Sequence, residues 1–278
     1  MRPVTDALDL DVLRRIRARR RGPAAHRPLL DRIAAHLEDH DGFVAWSGGK
    51  DSTTVVDLAR QVDPNIPVVF YDSGLQFPET LTYLVEVAGA WKLNFEVIPA
   101  EPDLLTVFIA AGGFDHCAPD RDLAGTLAEI MITGPAATAH ARHGRGSLWG
   151  VRAQESGARR HLYRTQLAHH TATHCQQERA AVRAQCGGII RRLDGTVTYG
   201  PIWDWQTSHV FEYLAGRDVP LNPLYRKIAH LGARPDAIRV DSIIDAAKLS
   251  NGHITWLRKG WPDLADRLTA ALPRLQEW

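Results

Sequence analysis

The chain has 278 residues, 45% of them apolar and 23% charged, with a net charge of +1, which is enough material to bury a sizeable core. The near-zero charge excludes a global electrostatic pull toward nucleic acid, so any such contact needs a local basic patch. No apolar run approaches a membrane span and no secretory leader pattern opens the chain, while an odd set of three dispersed cysteines predicts a reducing, cytoplasmic setting.

Residues 1–40 are expected to form a basic helical extension. Its densest charge is the run Arg14, Arg15, Arg17, Arg19, Arg20 and Arg21, read either as a solvated or subunit-facing helix face, which leaves a homodimer open, or as a contact for DNA phosphates. After Gly22-Pro23, the helical spacing of Leu29, Leu30, Ile33 and Leu37 predicts a helix that leads into the first strand. That strand is the apolar stretch Phe43-Val44-Ala45-Trp46, and it stops in Ser47-Gly48-Gly49-Lys50-Asp51-Ser52 before a helical pattern resumes at Val55.

A strand, a glycine pair and a helix start form an anion site. Glycines let successive N–H groups converge, and the helix N-terminus adds its positive end. Ser47 and Ser52 supply hydroxyls, Lys50 a flexible positive charge, and Asp51 implies a bridging Mg²⁺, because alone it would repel a phosphate. The spacing fits neither G-x-x-x-x-G-K-[ST] nor G-x-G-x-x-G. It resembles the S-G-G-x-D-S pyrophosphate loop (PP-loop) of the ATP-pyrophosphatase and phosphoadenylylsulfate (PAPS) reductase-like superfamily.

Further along, Pro67–Tyr71 reads as a buried strand ending in Asp72-Ser73-Gly74-Leu75-Gln76-Phe77-Pro78-Glu79-Thr80, which is similar to a D-T-G-x-x-F-P-E-T stretch of that superfamily. A helix is expected over Thr80–Ala90, a strand over Phe95–Ile98, and helices over Leu104–Gly113 and Leu123–Thr133. The strand Leu148–Val151 leads into Arg152, Glu155, Ser156, Arg159 and Arg160, which resembles the family's G-x-R-x-x-E-S-x-x-R element. Arginines beyond a strand end can grip phosphates, with Glu155 orienting one of them. Residues 161–198 read as a mobile, substrate-facing insert rich in His and Cys, without zinc or iron–sulfur spacing. A helix capped by Thr207 or Ser208 follows, then Val219–Tyr225, similar to a structural module of the family. The tail from 226 to 278 reads as a helical cap whose last helix starts at Trp261-Pro262.

Alternating strands and helices predict an α/β fold with an open, mostly parallel sheet, helices on both faces and helical extensions at both ends. The resemblance implies a nucleotide-binding domain over residues 41–225, with ATP and Mg²⁺ as cofactors. The nucleotide would be held by Ser47, Gly48, Gly49, Lys50, Asp51, Ser52, Asp72, Ser73, Gly74, Arg152, Arg159 and Arg160. Lys50, Asp51 and Arg152 would be catalytic, and replacement of Lys50 or Asp51 is expected to stop pyrophosphate formation with the fold intact.

An intact loop lysine and aspartate imply cleavage of ATP to AMP and pyrophosphate, with an acceptor adenylylated for sulfur incorporation. Similarity to the ATP-pyrophosphatases of DNA phosphorothioation points to the DNA backbone and to a cysteine desulfurase as sulfur donor. Cys175, Cys186 and Cys117 are the candidates to relay the sulfur. The alternatives are a sulfate adenylyltransferase small-subunit-like or tRNA-thiolating enzyme, a PAPS reductase-like enzyme, and a non-catalytic nucleotide sensor or assembly subunit.

Overall fold

In the computed structural model, residues 26–111, 113, 127–172, 178–233, 238–240, 243 and 253–277 are described. Six strands form one sheet in the order β3-β2-β1-β4-β6-β5: β1 (Gly42–Ala45), β2 (Pro67–Asp72), β3 (Asn94–Pro99), β4 (Gly146–Trp149), β5 (Ile189–Arg191) and β6 (Val197–Tyr199). All neighbours are parallel except β5, which runs antiparallel to β6. The strand order reverses at β1, so the crevice beyond the carboxyl ends of β1 and β4 is the natural ligand position of such a sheet. Register places Ala45 beside both Val69 and Trp149, so these ends lie level there.

The central strands are short apolar runs because both their faces are covered. On one face Val44, Trp46, Val68, Phe70 and Leu148 pack into the largest core. Its helical part comes from α1 (Arg27–His40), α2 (Lys50–Val62), α3 (Pro78–Trp91) and α8 (Thr207–Arg217). On the other face a thinner cluster of Phe43, Ala45, Val69 and Ile98 meets Ala139 of α5 (Gly134–His143). A further core joins Leu75, Phe77, Leu104 and Phe108 to the C-terminal elements. Leu104 and Phe108 lie on α4 (Leu104–Ala110), and the C-terminal elements are α9 (Leu224–His230), α10 (His253–Gly260), α11 (Pro262–Ala271) and a closing 3₁₀ turn, Pro273–Glu277.

Three expectations need correction. The helix expected to stop at Thr133 continues: a π-helical turn at Glu129–Thr133 runs straight into α5. Gly134-Pro135 lies inside that run: the Gly134 N–H donates to the Glu129 carbonyl with π spacing, and Pro135 follows without an N–H to give. The stretch read as a mobile insert contains α6 (Gly157–Thr171), α7 (Arg179–Cys186), β5 and β6, so its described residues complete the sheet edge. Nor do the Thr207 or Ser208 side chains cap α8; Gln206 is the N-cap without a side-chain bond, and the Thr207 N–H donates to Gln154 Oε1 at 3.1 Å. The last helix does start as expected, with Trp261 as N-cap and Pro262 in the first turn.

The C-terminal elements are anchored to α3 through Glu79. Its carboxylate accepts from Lys227 Nζ at 2.6 Å and from Trp261 Nε1 at 2.9 Å. Lys227 also lies 4.0 Å from the Trp261 ring centre. Burial raises the Glu79 carboxyl, but the bonds from Lys227 and Trp261 outweigh it and hold the group below the ordinary glutamate range. A lowered carboxyl stabilises the fold above that range, and the contribution is lost as pH falls through it. Glu79→Ala should therefore cost about 1–2 kcal/mol at neutral pH and less at acid pH. Urea denaturation followed by tryptophan fluorescence at both pH values checks it; an equal cost at both would contradict the assignment.

Candidate functional site

A cavity of about 290 Å³ opens at the crevice beyond β1 and β4, within the size range of small-ligand sites. Its wall is built from Ser47, Gly49, Lys50, Asp51 and Ser52 after β1, Ser73 and Gln76 after β2, and Gly150, Val151, Glu155 and Arg159 after β4. Met131 and Ile132 of the π turn also line it, a placement of π turns common at functional sites. Three loops far apart in sequence thus meet where the topology directs them.

The glycine loop is shaped by backbone needs. Gly48 has φ of +72°, and a Cβ there would sit 3.2 Å from Thr80 Cγ2. Gly150 permits a closer approach: a Cβ on it would stand 2.3 Å from the Ser52 nitrogen, so only glycine lets β4 end against the start of α2. Gly49 is the N-cap of α2 and offers no side-chain cap. Among the described residues the N–H groups of Gly48 and Gly49 donate to nothing. A 13-residue helix therefore begins at the cavity wall with the Gly48 and Gly49 N–H groups unpaired before it and its positive end outward, an arrangement suited to an anion. The serines brace the loop, with Ser52 Oγ accepting from Ser47 N–H at 3.2 Å and donating to the Gly49 carbonyl at 3.1 Å.

Asp51 is 7% exposed and both its carboxylate oxygens are engaged. Oδ2 accepts from Lys50 Nζ at 2.5 Å, and Oδ1 from Arg152 Nε at 2.7 Å. Arg152, itself 3% exposed, spends Nη1 on Gln154 Oε1, the Trp205 carbonyl and Thr207 Oγ1. It does not line the cavity. In place of the phosphate contact expected of it, Arg152 holds Asp51 in position. The expectation that Asp51→Ala spares the fold also changes, because that substitution strands a buried guanidinium, at about 3–5 kcal/mol. Lys50, on a flexible stem with one partner to leave, is the loop cation able to turn toward a ligand.

The remaining candidates divide. Arg159 lines the cavity and is oriented by Glu155, whose Oε2 accepts from Arg159 Nη1 and from the Arg152 N–H. Arg160 faces a different cleft. Ser73 lines the cavity, whereas Asp72 accepts from the Gly74 N–H in a local turn and neither Asp72 nor Gly74 reaches the wall. Cys186, a partly exposed free thiol ending α7, lines neither cavity. Cys117, Cys175 and the Arg14–Arg21 run lie outside the described residues.

Several wall residues carry no local signal in the sequence. Tyr225 OH accepts from the Lys50 N–H at 3.1 Å, and Asn222 Nδ2 donates to the Gly48 carbonyl at 3.3 Å. The module read as structural thus also grips the loop. Arg239 joins the wall near Tyr225. Tyr71 and Trp149, with ring centres 5.9 Å apart, line the cavity together with Gln76. Among the described residues the Tyr71 hydroxyl, Trp149 Nε1 and Gln76 Oε1 are shielded from solvent without partners. Apolar walls carrying unpaired donors and an acceptor suit a heteroaromatic ring with polar edges. Burial also pushes the Tyr71 phenol up, keeping it protonated as a donor. Tyr71→Phe should stabilise the ligand-free protein by about 1 kcal/mol, since an unpaired buried hydroxyl is removed, while weakening nucleotide binding. Thermal melts with and without ATP test this; destabilisation of the free protein would show that the hydroxyl is already satisfied.

Residues 42–236 match the phosphoadenosine phosphosulfate reductase domain family. The chain is 27% identical over 202 residues to phosphoadenosine 5'-phosphosulfate reductase of Xylella fastidiosa, covering 69% of this chain and 70% of the relative. It is 25% identical over 248 residues to the Salmonella newport enzyme of that name, covering 86% and 80%. Among solved structures, PAPS reductase from Candida auris in a phosphate complex aligns with a TM-score of 0.47 and 16% identity, over 72% of this chain and 80% of that one.

Proposed function

The chain belongs to the phosphoadenosine phosphosulfate reductase domain family, and from that premise we propose that its cavity binds ATP, splits it between the α and β phosphates and leaves the adenylyl group on an acceptor. The observation that carries this reading is the uncapped start of α2 at the cavity wall, with Lys50 beside the free glycine amides. A loop that only holds an already activated sulfate has no departing pyrophosphate for such a cation to stabilise.

In the reaction an acceptor oxygen forms a bond to the α-phosphorus while the bridging α–β P–O bond breaks, and the electron pair leaves with pyrophosphate. The charge grows on the leaving group, where the loop amides stand ready and Lys50, once released from Asp51, can turn to receive it. Arg159, kept in place by Glu155, steadies the phosphates or the acceptor. Among the described residues no three His, Cys, Asp or Glu side chains are placed to hold a metal. One carboxylate completed by ligand phosphates is nevertheless a donor set Mg²⁺ uses. Asp51 Oδ2 is the atom that would hold it once Lys50 turns to the ligand, and the ion would neutralise polyphosphate charge.

The acceptor we favour is a nucleic-acid oxygen, DNA before RNA; a persulfide from a cysteine desulfurase then attacks the activated phosphorus, AMP leaves, and a thiol reduces the resulting S–S bond, giving the phosphorothioate and a disulfide. Supporting it are the resemblance of the loop and the basic Arg14–Arg21 run. A second reading, reduction of an activated sulfate, draws on the named activity of the Xylella and Salmonella relatives. Incubating the protein with labelled ATP, Mg²⁺ and DNA, tRNA or sulfate in turn separates them. Pyrophosphate and adenylylated acceptor should form in equal amounts, and Lys50→Ala should slow this by about 10²–10³-fold with the fold retained. Absence of pyrophosphate with every acceptor, together with sulfite release from an adenylyl sulfate and a thiol, would overturn the proposal in favour of the second reading.

A further inference from the structure

A second cleft, about 300 Å³ in volume, lies behind the first and is lined by Arg160, Arg164, Arg183, Trp203, Asp204 and Trp205. Arg160 and Arg164 are one turn apart on α6, so their side chains emerge on one side of the helix. Like charges in that relation repel unless something anionic lies between them. Among the described residues neither guanidinium has a hydrogen bond or an ion pair. Arg183 lies 4.7 Å from the Trp203 ring centre and 3.7 Å from Asp204. That last pair is loose and half-exposed, and weakly held. Three cations against one carboxylate, over a floor of two indoles, form a cationic aromatic cleft.

The wall between the two clefts is thin. Val151 and Glu155 line the first and Ala153 and Gln154 the second, while the consecutive Arg159 and Arg160 divide between them in the same way. The wall is also tied to the loop. Gln154 Oε1 accepts from Arg152 Nη1, and Arg152 holds Asp51. A chain-like ligand seated in the second cleft therefore needs to cross only the Val151–Glu155 ridge to present a group to the first.

We propose that the second cleft is a binding site for a single-stranded phosphodiester chain. Arg160 and Arg164 take its phosphate oxygens, and a base lies against Trp205 beside Arg183. A positive groove with aromatic faces is the chemistry that holds such strands with little sequence preference. The inference rests on the adenylyl-transfer reading only for its purpose, the delivery of an acceptor; the strand binds without ATP.

Fluorescence anisotropy of a short labelled oligothymidylate, titrated at several salt concentrations without nucleotide, tests the proposal. Against wild type, Arg160→Gln/Arg164→Gln should weaken binding by about tenfold or more and flatten the log–log salt slope by about 1.4, the value for two phosphate contacts to a single strand. A strand carrying a photoreactive base should crosslink to wild type within the peptide holding Trp203 and Trp205, which keeps the proposal testable should the double variant fail to fold. Unchanged affinity and slope in a folded double variant, crosslinks confined to other peptides, or displacement by inorganic phosphate as effective as by unlabelled strand would each overturn it. Strand binding that depends on these arginines in a protein that never releases pyrophosphate from ATP would instead refute the adenylyl-transfer reading and leave the site standing.

Discussion

The structure depends on one carboxylate held between two cations. Asp51 sits in the first turn of α2, and Arg152, one hundred and one residues later, comes from the loop after β4. A buried ion pair is a poor source of net stability, because desolvation consumes most of its Coulomb gain. What such a pair provides is position. Arg152 Nε fixes Asp51, and Nη1 reaches Gln154, the Trp205 carbonyl and Thr207. One guanidinium thus ties the glycine loop to the β4 loop and the start of α8. The two partners of Asp51 are unequal: the Arg152 side chain is 3% exposed and that of Lys50 15%. Arg152 is built in, whereas Lys50 rests there until a stronger anion draws it away.

That clamp matters because of where the sheet puts it. Reversal of strand order at β1 opens a crevice between the β1 and β4 loops, and the close approach of Gly150 to Ser52 narrows it at its base. The unequal covering of the sheet does the rest. Four helices pack the face of Val44 and Phe70, while α5 and its π turn cover the face of Ala45 and Tyr71, so the cavity forms on the thinner side. The C-terminal elements add Tyr225 and Asn222 from beyond the sheet, and Glu79 anchors them by accepting from Lys227 and Trp261.

The loop, its flanking elements and the parallel sheet were legible in the amino-acid order because their causes are local. A glycine with positive φ, an apolar run covered on both faces and a helix resuming at once after the turn each leave a signature within a dozen residues. The partners of these elements were not legible. Nothing near Tyr225 shows that its hydroxyl meets the Lys50 amide, and nothing near Arg152 shows that it turns inward to Asp51. Such contacts belong to the fold. The continuation of the helix through Gly134-Pro135 escaped because that pair usually marks a break, whereas here the π turn before it carries the chain on. The His- and Cys-rich stretch misled by composition: its helices have mostly exposed side chains, so α6 buries only Tyr163 and shows little periodicity.

The claim that a buried Asp51–Arg152 pair sets the loop while Lys50 stays exchangeable is tested most directly by a double-mutant cycle. Stabilities of wild type, Asp51→Asn, Arg152→Gln and the double variant, measured by urea denaturation, isolate the pair from everything else each side chain does. A coupling of about 2–3 kcal/mol between Asp51 and Arg152, against less than about 1 kcal/mol in the parallel cycle of Asp51 with Lys50→Met, is the predicted result. Comparable couplings in both cycles, or none with Arg152, would contradict the account.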